Sequence, residues 1–376
     1  MSGTSAMKIP PQVIAHQRRA ADPGLSAWVS ANAGSGKTKV LTDRVMRLML
    51  EGAPPGRILC LTFTKAAAAN MSIRIFDTLS QWVSLDDAAL SARLEALDGR
   101  RPDARRLVAA RRLFARAVET PGGLKIETIH AFCERLLHIA PFEANVPASF
   151  VVLDDDQANE LMQAAKKGVL AAAALGDGAT AEAFAAVNAH VAGERLDGVL
   201  REALACKDVL GTPASRADAL ARLAAALGVA EGEDEAAIDA AMLAGALPAG
   251  ERAELAAAFL ASGASTDAKQ AACLQAMAEA RDDAARLAAY RGLFFGKTGP
   301  KADRSLATKA LGEAAKSRLV AERDRLVGLD ERRRAAAALS RTRALFTLAG
   351  AIFERVEAEK RRLGALDFDD LIRKTL

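Results

Sequence analysis

Aromatic residues are scarce in this 376-residue sequence: 4% in all, with two tryptophans and one tyrosine. A core with so few rings must close on small and aliphatic side chains, and the abundance of alanine directs that packing towards helices. Cysteine is nearly as rare. Cys60, Cys133, Cys206 and Cys273 stand far apart with no paired spacing, which argues against a disulfide framework or a metal cluster and fits a reducing compartment. Long apolar runs are missing as well. No uncharged stretch approaches the ~18–20 residues that span a bilayer, and the opening MSGTSAMKIPPQVIAHQ lacks the charged-then-apolar layout of a secretion signal. A cytoplasmic protein with no membrane partner is the expectation. Nor is one sign of charge in large excess: a formal net charge of +4 permits an anionic partner only where positive groups cluster.

What is present begins with composition. Half the residues are apolar, 51%, as in globular proteins, and the length suffices for two or three domains, each with its own core. Residues 1–140 alternate short apolar runs with helical patterns. LSAWVSA (25–31), GRILCLTFT (56–64) and LKIET (124–128) read as buried strands. TKVLTDRVMRLMLEG, with Val40, Val45, Leu48 and Met49 as its stripe and Gly52 as its stop, reads as a helix, as do residues 65–83 and IHAFCERLLHIA. Such alternation predicts an α/β fold with a parallel sheet. From about residue 150 the texture changes to Ala, Leu, Arg and Glu at helical periods. The breaks fall at LGDGAT, GTPAS, PAGE, SGAST and FGKTGPKAD, with no regular repeat.

The strongest chemical signal is SANAGSGKTKVL (30–41). A phosphate-binding loop asks for glycine six residues before its lysine; Ala31 stands there instead, but the essentials remain. Ala33, Gly34, Ser35 and Gly36 form a turn whose backbone N–H groups can cradle a phosphate. Lys37 can reach the β and γ oxygens, and Thr38 offers a hydroxyl to Mg²⁺. Upstream, Gln17 carries an amide able to donate to and accept from adenine at once. ATP and Mg²⁺ are therefore the expected cofactors, with Lys37 and Thr38 the catalytic pair and Thr38 the metal contact through the nucleotide.

Taken together, Gln17, ANAGSGKT, LTFTKAAAANMSIRI (61–75) and IETIHAFCERLL (126–137) resemble, in order and spacing, the early motifs of UvrD/Rep-type superfamily 1 DNA helicases. The closer wording of LCLTFTKAAAANM, LKIETIHAFCERLL and ALDFDDLI is similar to the AddA type of bacterial helicase–nuclease, alphaproteobacterial in flavour. The resemblance covers the first 150 residues and the final dozen. It implies a RecA-like P-loop motor domain over residues 1–150, a large helical accessory insertion over 151–355 that meets the duplex, and a return segment over 356–376. It implies an ATP-dependent 3′→5′ helicase acting on single-stranded and duplex DNA in double-strand break repair, with an AddB-like partner subunit. Thr62, Phe63 and Thr64 would line the path of the single strand, Phe63 stacking on a base, and Thr128 and His130 would touch the same strand further along. One departure is Asn70, where the family usually carries glutamate.

An ATPase of this type also needs an acidic pair after a buried strand. FVVLDDDQ (150–157) looks superficially suitable, but the family carries a similar stretch as the entrance to the helical insertion, and its acidic box follows DFDDLI. The sequence stops after that segment, so the 376 residues are expected to bind nucleotide and DNA without full unwinding activity. Arg100, Arg101, Arg105, Arg106, Arg111, Arg112 and Arg116 form a dense basic stretch. On a helix, Arg101, Arg105, Arg112 and Arg116 fall near one face, either solvated or set against a DNA backbone. Two other readings stay open: a UvrD-like helicase without a nuclease partner, and a P-loop nucleotide switch that uses DDDQ as its metal box and needs no DNA.

Overall fold

The computed structural model describes residues 10–30, 32, 36–191, 193–230 and 232–376. In chain order its elements begin α1 (Pro11–Ala20), α2 (Lys37–Leu50), β1 (Leu59–Thr62), α3 (Lys65–Ser84), α4 (Asp87–Asp98), α5 (Ala104–Glu119), β2 (Lys125–Thr128), α6 (Ile129–Ile139) and β3 (Val151–Val152). Helices then follow almost without interruption: α7 (Asp155–Leu175), α8 (Ala179–Asn188), α9 (Glu194–Ala205), α10 (Lys207–Leu210), α11 (Pro213–Leu227), α12 (Glu235–Ala244), α13 (Ala249–Ala261), α14 (Ser265–Glu279) and α15 (Asp283–Phe294). A small hairpin, β4 (Phe295–Gly296) and β5 (Gly299–Pro300), precedes α16 (Asp303–Leu306) and the very long α17 (Glu313–Leu363); β6 (Ala365–Leu366) and α18 (Phe368–Thr375) come last. The protein is thus mostly helical with small parallel sheets. It divides into two compact units, one running to Asp154 and resuming at Gly364–Leu376, the other Asp155–Leu363.

In the first unit, α2 buries Val40, Val45, Met46 and Met49 at helical spacing, and the chain turns away at Gly52, whose φ of 99° suits glycine. Helix α3 starts where the Thr64 hydroxyl accepts the Ala67 N–H at 3.1 Å, and its stripe of Met71, Ile75, Leu79 and Trp82 is buried. Asp86 and Asp103 cap α4 and α5 in the same way. These stripes meet Ile58, Leu90, Leu94 and Leu113 in one core, to which each fully buried leucine or isoleucine contributes about 1.5–3 kcal/mol. Strands β1 and β2 pair in parallel against this core. A second, smaller core joins Cys133 and Leu137 of α6 to Val146, Phe150, Leu366 and Leu371, beneath the parallel pair β3 and β6.

The sheet is smaller than the sequence pattern predicts. Residues 26–30 form no strand, and Leu25, Trp28 and Val29 are exposed, Trp28 at 95%. Among the described residues β1 is bonded only to β2, so residues 26–30 join no ladder, and with their apolar side chains in water nothing offsets the entropy of ordering them as a strand. β1 is not the fully buried strand expected either: Leu59 and Leu61 remain open on one face.

The second unit is organised on α17, whose 51 residues rise about 75 Å. Its first half supplies Leu319, Leu326 and Ala336 to a core with Phe259, Tyr290 and Phe294. Its second half supplies Leu348, Ala349, Ile352 and Phe353 to a core with Leu200, Leu204 and Leu210. Gly350 lets the Arg216 guanidinium cross the helix, since a Cβ there would overlap Nη1. Inside, the Tyr290 hydroxyl donates to Glu322 at 2.6 Å and accepts the Leu247 N–H at 2.9 Å, while Arg325 donates to both Glu322 oxygens. Burial, together with that bond to Glu322, pushes the Tyr290 phenol well above its ordinary range. The Gln270 amide donates to the carbonyls of Leu293, Ser305 and Leu306 and accepts from Lys301, so it fastens the hairpin region to α14. Among the described residues, no single helix is long and apolar enough to cross a membrane.

Candidate functional site

The N-terminus of α2 is the first part of the site. Gly36 precedes it with φ 92° and has no side chain with which to cap the helix, so the leading N–H groups receive no acceptor from that position. Gln17, on α1, reaches this point: a Cβ at Gly36 would lie 3.0 Å from Gln17 Nε2. The two residues that sequence places about twenty positions apart therefore touch, and any side chain at Gly36 would press on the amide. Lys37 Nζ donates to the Asn32 carbonyl at 2.8 Å, drawing the loop backbone towards the helix. Thr38 is exposed. Ala33, Gly34 and Ser35 lie outside the described residues. The cradle of Gly36 and Gln17, a lysine at the helix start and an exposed hydroxyl beside it fit a nucleoside triphosphate carrying Mg²⁺. Among the described residues no group of three or more His, Cys, Asp or Glu is arranged to hold a metal ion.

What holds Gln17 there was not read from the sequence. Arg44 of α2 donates to the carbonyls of Ala20, Asp22 and Leu25, at 3.3, 2.6 and 2.6 Å, closing the open end of α1. Arg47, one turn on, donates to the Arg18 carbonyl at 2.8 Å, and Arg18 Nε in turn donates to the Ala96 carbonyl at 3.0 Å. Arg47 also faces Asp98 at 3.5 Å, and Asp98 is held by Arg106 at 2.5 Å. The legible signal was a pair of arginines three apart on the helix that follows the lysine, masked by the apolar stripe alternating with them.

The second part of the site lies at the carboxyl ends of β1 and β2, where parallel sheets present their ligand-binding loops. Their register pairs Thr62 with Thr128, so the two motifs taken from 61–75 and 126–137 leave the sheet side by side. The hydroxyls largely serve the fold. Thr62 Oγ1 donates to the Thr64 carbonyl at 3.1 Å, Thr64 caps α3, and Thr128, itself buried, caps α6 by accepting the Ala131 N–H at 3.2 Å. Phe63 is different: it sits between strand and helix with 85% of its surface in water, so it is not a strand-ending core residue. His130 is half-buried, its ring 5.0 Å from Phe368 and tilted by 54°. Glu127 is tied to Arg135 at 2.5 Å. Asn70 is exposed on α3. Burial raises the Cys60 thiol above its ordinary value, which disfavours the thiolate.

Asp154–Asp156 follow β3, and Asp155 opens α7. β3 pairs with β6 in a sheet separate from β1 and β2 among the described residues. The acidic run therefore does not follow the strands that carry Thr62 and Thr128.

Comparison with known proteins adds to this geometry. Residues 14–376 match the UvrD/REP helicase N-terminal domain. The match runs through the helical unit, further than the motif resemblance in the first 150 residues and the last dozen. Among curated relatives, the AddA subunit of the ATP-dependent helicase/nuclease of Limosilactobacillus reuteri is 36% identical over 142 residues, covering 38% of this chain and 9% of the relative. Its namesake from Lactobacillus gasseri is 32% identical over 142 residues, 38% of this chain and 10% of the relative. That from Pelotomaculum thermopropionicum is 33% identical over 138 residues, 36% of this chain and 9% of the relative. The matched stretch thus spans about a tenth of the length of these relatives. The chain belongs to the UvrD/REP helicase N-terminal domain family.

Proposed function

We propose that this family member carries the nucleotide- and strand-binding elements of an ATP-dependent 3′→5′ DNA helicase of the AddA type. It would work in the cytoplasm in double-strand break repair and recombination, with an AddB-like partner subunit. On this reading β1 and β2 belong to a RecA-like sheet of the first motor domain, and the helical unit is the accessory domain inserted in it. The observation that carries the reading is the Thr62–Thr128 register, with an exposed Phe63 beside it and the Gln17–Gly36 contact on the same unit. A nucleotide switch has no use for a large aromatic held in water at a strand end.

ATP with Mg²⁺ supplies the phosphoanhydride and the charge-neutralising cation. The protein's own residues have distinct tasks. Gln17 would bind the adenine edge. Gly34, Ser35, Gly36 and Ala33 would supply backbone N–H donors, Lys37 would exchange the Asn32 carbonyl for phosphate oxygen, and Thr38 would hold the metal through its hydroxyl. Phe63 would stack on a base of the single strand. The protons of Thr64 and Thr128, whose oxygens already cap helices, would be directed to phosphate oxygens, and His130 would add a contact further along. On this reading the 376 residues alone bind nucleotide while turning it over slowly and without unwinding.

Fluorescence anisotropy with an oligo-dT strand tests this. Wild type should bind, and Phe63→Ala should weaken binding by about 1–3 kcal/mol, the size of a lost base stack. Equal affinity for the two proteins, or none for either, would sink the helicase reading.

A further inference from the structure

The arginines around α5 fall into two groups. Arg106 donates to Asp98 through Nε and Nη2, at 2.7 and 2.5 Å, and Arg111 donates to the carbonyls of Val83 and Leu85 and to Asp87. These two are fasteners between α5 and the helices before it. Arg100, Arg101, Arg105, Arg112 and Arg116 are exposed, and none forms an ion pair with another described residue. Arg101 is not on the helix as its spacing suggested: it lies in the loop before the Asp103 cap. The other three are. At 100° per residue, Arg105, Arg112 and Arg116 lie within an arc of about 40° and are separated along the axis by about 10 and 6 Å. Ala109 lies on the same face and keeps it low. At its amino end this row opens into a cavity of about 440 Å³ lined by Arg100, Arg101, Arg105 and Arg106. Of the acids nearby, Asp103 is engaged by the Arg106 N–H at 2.7 Å, and Glu119 is exposed at the carboxyl end of the row, three residues after Arg116.

We propose that this arginine row is a sequence-independent contact for the phosphate backbone of duplex DNA, resting on the reading of the protein as a DNA helicase. The choice of duplex follows from what the face lacks. Sites for single strands combine positive charge with aromatic platforms, and α5 exposes no aromatic side chain: Phe114 is half-buried edge-on to Phe76. A row of guanidinium groups without a ring can read phosphates but not unstacked bases, which is what the outside of a double helix offers. The single strand belongs to Phe63, and the duplex to α5.

The test uses the whole chain carrying Arg105→Glu, Arg112→Glu and Arg116→Glu together, with the three-glutamine version alongside and circular dichroism melts to verify folding. A matched variant reverses Arg57, Arg93 and Lys125, which are exposed elsewhere on the unit that carries α5. Binding of a short mixed-sequence duplex and of oligo-dT is followed across a salt titration. The α5 variant should weaken duplex binding at least tenfold and flatten its log–log salt slope by about 0.9 per lost phosphate contact, close to three in all. Its oligo-dT affinity should change far less, and the matched variant should keep the wild-type duplex slope. Undiminished duplex binding by the α5 variant overturns the proposal, as does an equal loss in the matched variant, which would mean bulk charge alone. Loss of the Phe63→Ala effect on oligo-dT would count against the helicase reading and leaves the duplex measurement to be judged by itself.

Discussion

In the helical unit, Arg318, Arg325 and Arg333 end on the carboxylates of Glu251, Glu322 and Asp239, and Tyr290 and Gln270 are fully bonded inside it. In the other unit, Thr38, Phe63 and Arg105 face water from a helix start, a strand end and a helix face. At these three points the unit running to Asp154 presents side chains to water, beside arginines such as Arg47, Arg106 and Arg111 that are fastened within it; the groups named in the helical unit are turned against one another. Groups that serve only the fold can be satisfied internally, whereas groups meant for a ligand must be left accessible, at the cost of exposing an aromatic ring. Substitution should therefore cost stability in one unit and binding in the other.

Phe259→Ala presses that contrast hardest. Its ring is fully buried in the core on α17, and truncation should cost about 3–5 kcal/mol in urea unfolding followed by circular dichroism. Binding of a fluorescent ATP analogue should persist below the transition; if affinity falls in step with stability, the units are not energetically separate. Next comes Glu322→Ala, which strands a buried phenol and a guanidinium and should cost about 3 kcal/mol, read from the same unfolding curves. Gly36→Ala reverses the pattern. A side chain at φ 92° is strained by about 1–2 kcal/mol and displaces Gln17, so ATP-analogue affinity should drop while the helical unit's unfolding midpoint stays put. Asp367→Ala removes one half of the capping box with Asp370 and should cost about 1 kcal/mol, seen as faster hydrogen exchange in α18 and α6. The smallest effect is chemical. Iodoacetamide should label exposed Cys206 first, with buried Cys133 and the pKa-raised Cys60 lagging; early labelling of Cys60 would mean that its strand opens.

The helices were legible where their signals are local. The glycine loop before α2, the helix over 65–83 and the breaks at LGDGAT, GTPAS, PAGE, SGAST and FGKTGPKAD are visible as residue types, whereas the ends of α8, α11 and α14 carry no such mark in the reading of the sequence. The strand expected at 25–31 failed because strands depend on a partner edge, which no window of sequence contains. The same limit applied to the basic stretch: Arg106 and Arg111 look like Arg105 and Arg112, and only Asp98 and the carbonyls of α3's end separate fastener from free surface. The task of Arg44 has no counterpart in the residue pattern because its acceptors are backbone carbonyls, which have no letter of their own. Of the candidate site, the residue types were readable. The pairing of Thr62 with Thr128 and the Gln17–Gly36 contact required the fold.

The pairing of β3 with β6 also sets a timetable. Val151 donates to the Gly364 carbonyl at 3.0 Å and Leu153 to the Leu366 carbonyl at 2.8 Å, while the whole of Asp155–Leu363 lies between. Closing a flexible loop of about two hundred residues costs about 5 kcal/mol in chain entropy, more than two hydrogen bonds return. Folding of the intervening helices shortens that loop, so the burial of Leu366 and Leu371 against α6 is favoured most once those helices have formed. Until Leu366 and Leu371 have been synthesised and have docked, Cys133 and Leu137 share their core with Val146 and Phe150 alone among its buried residues, and the completion of α6's packing waits on the last helix of the sequence.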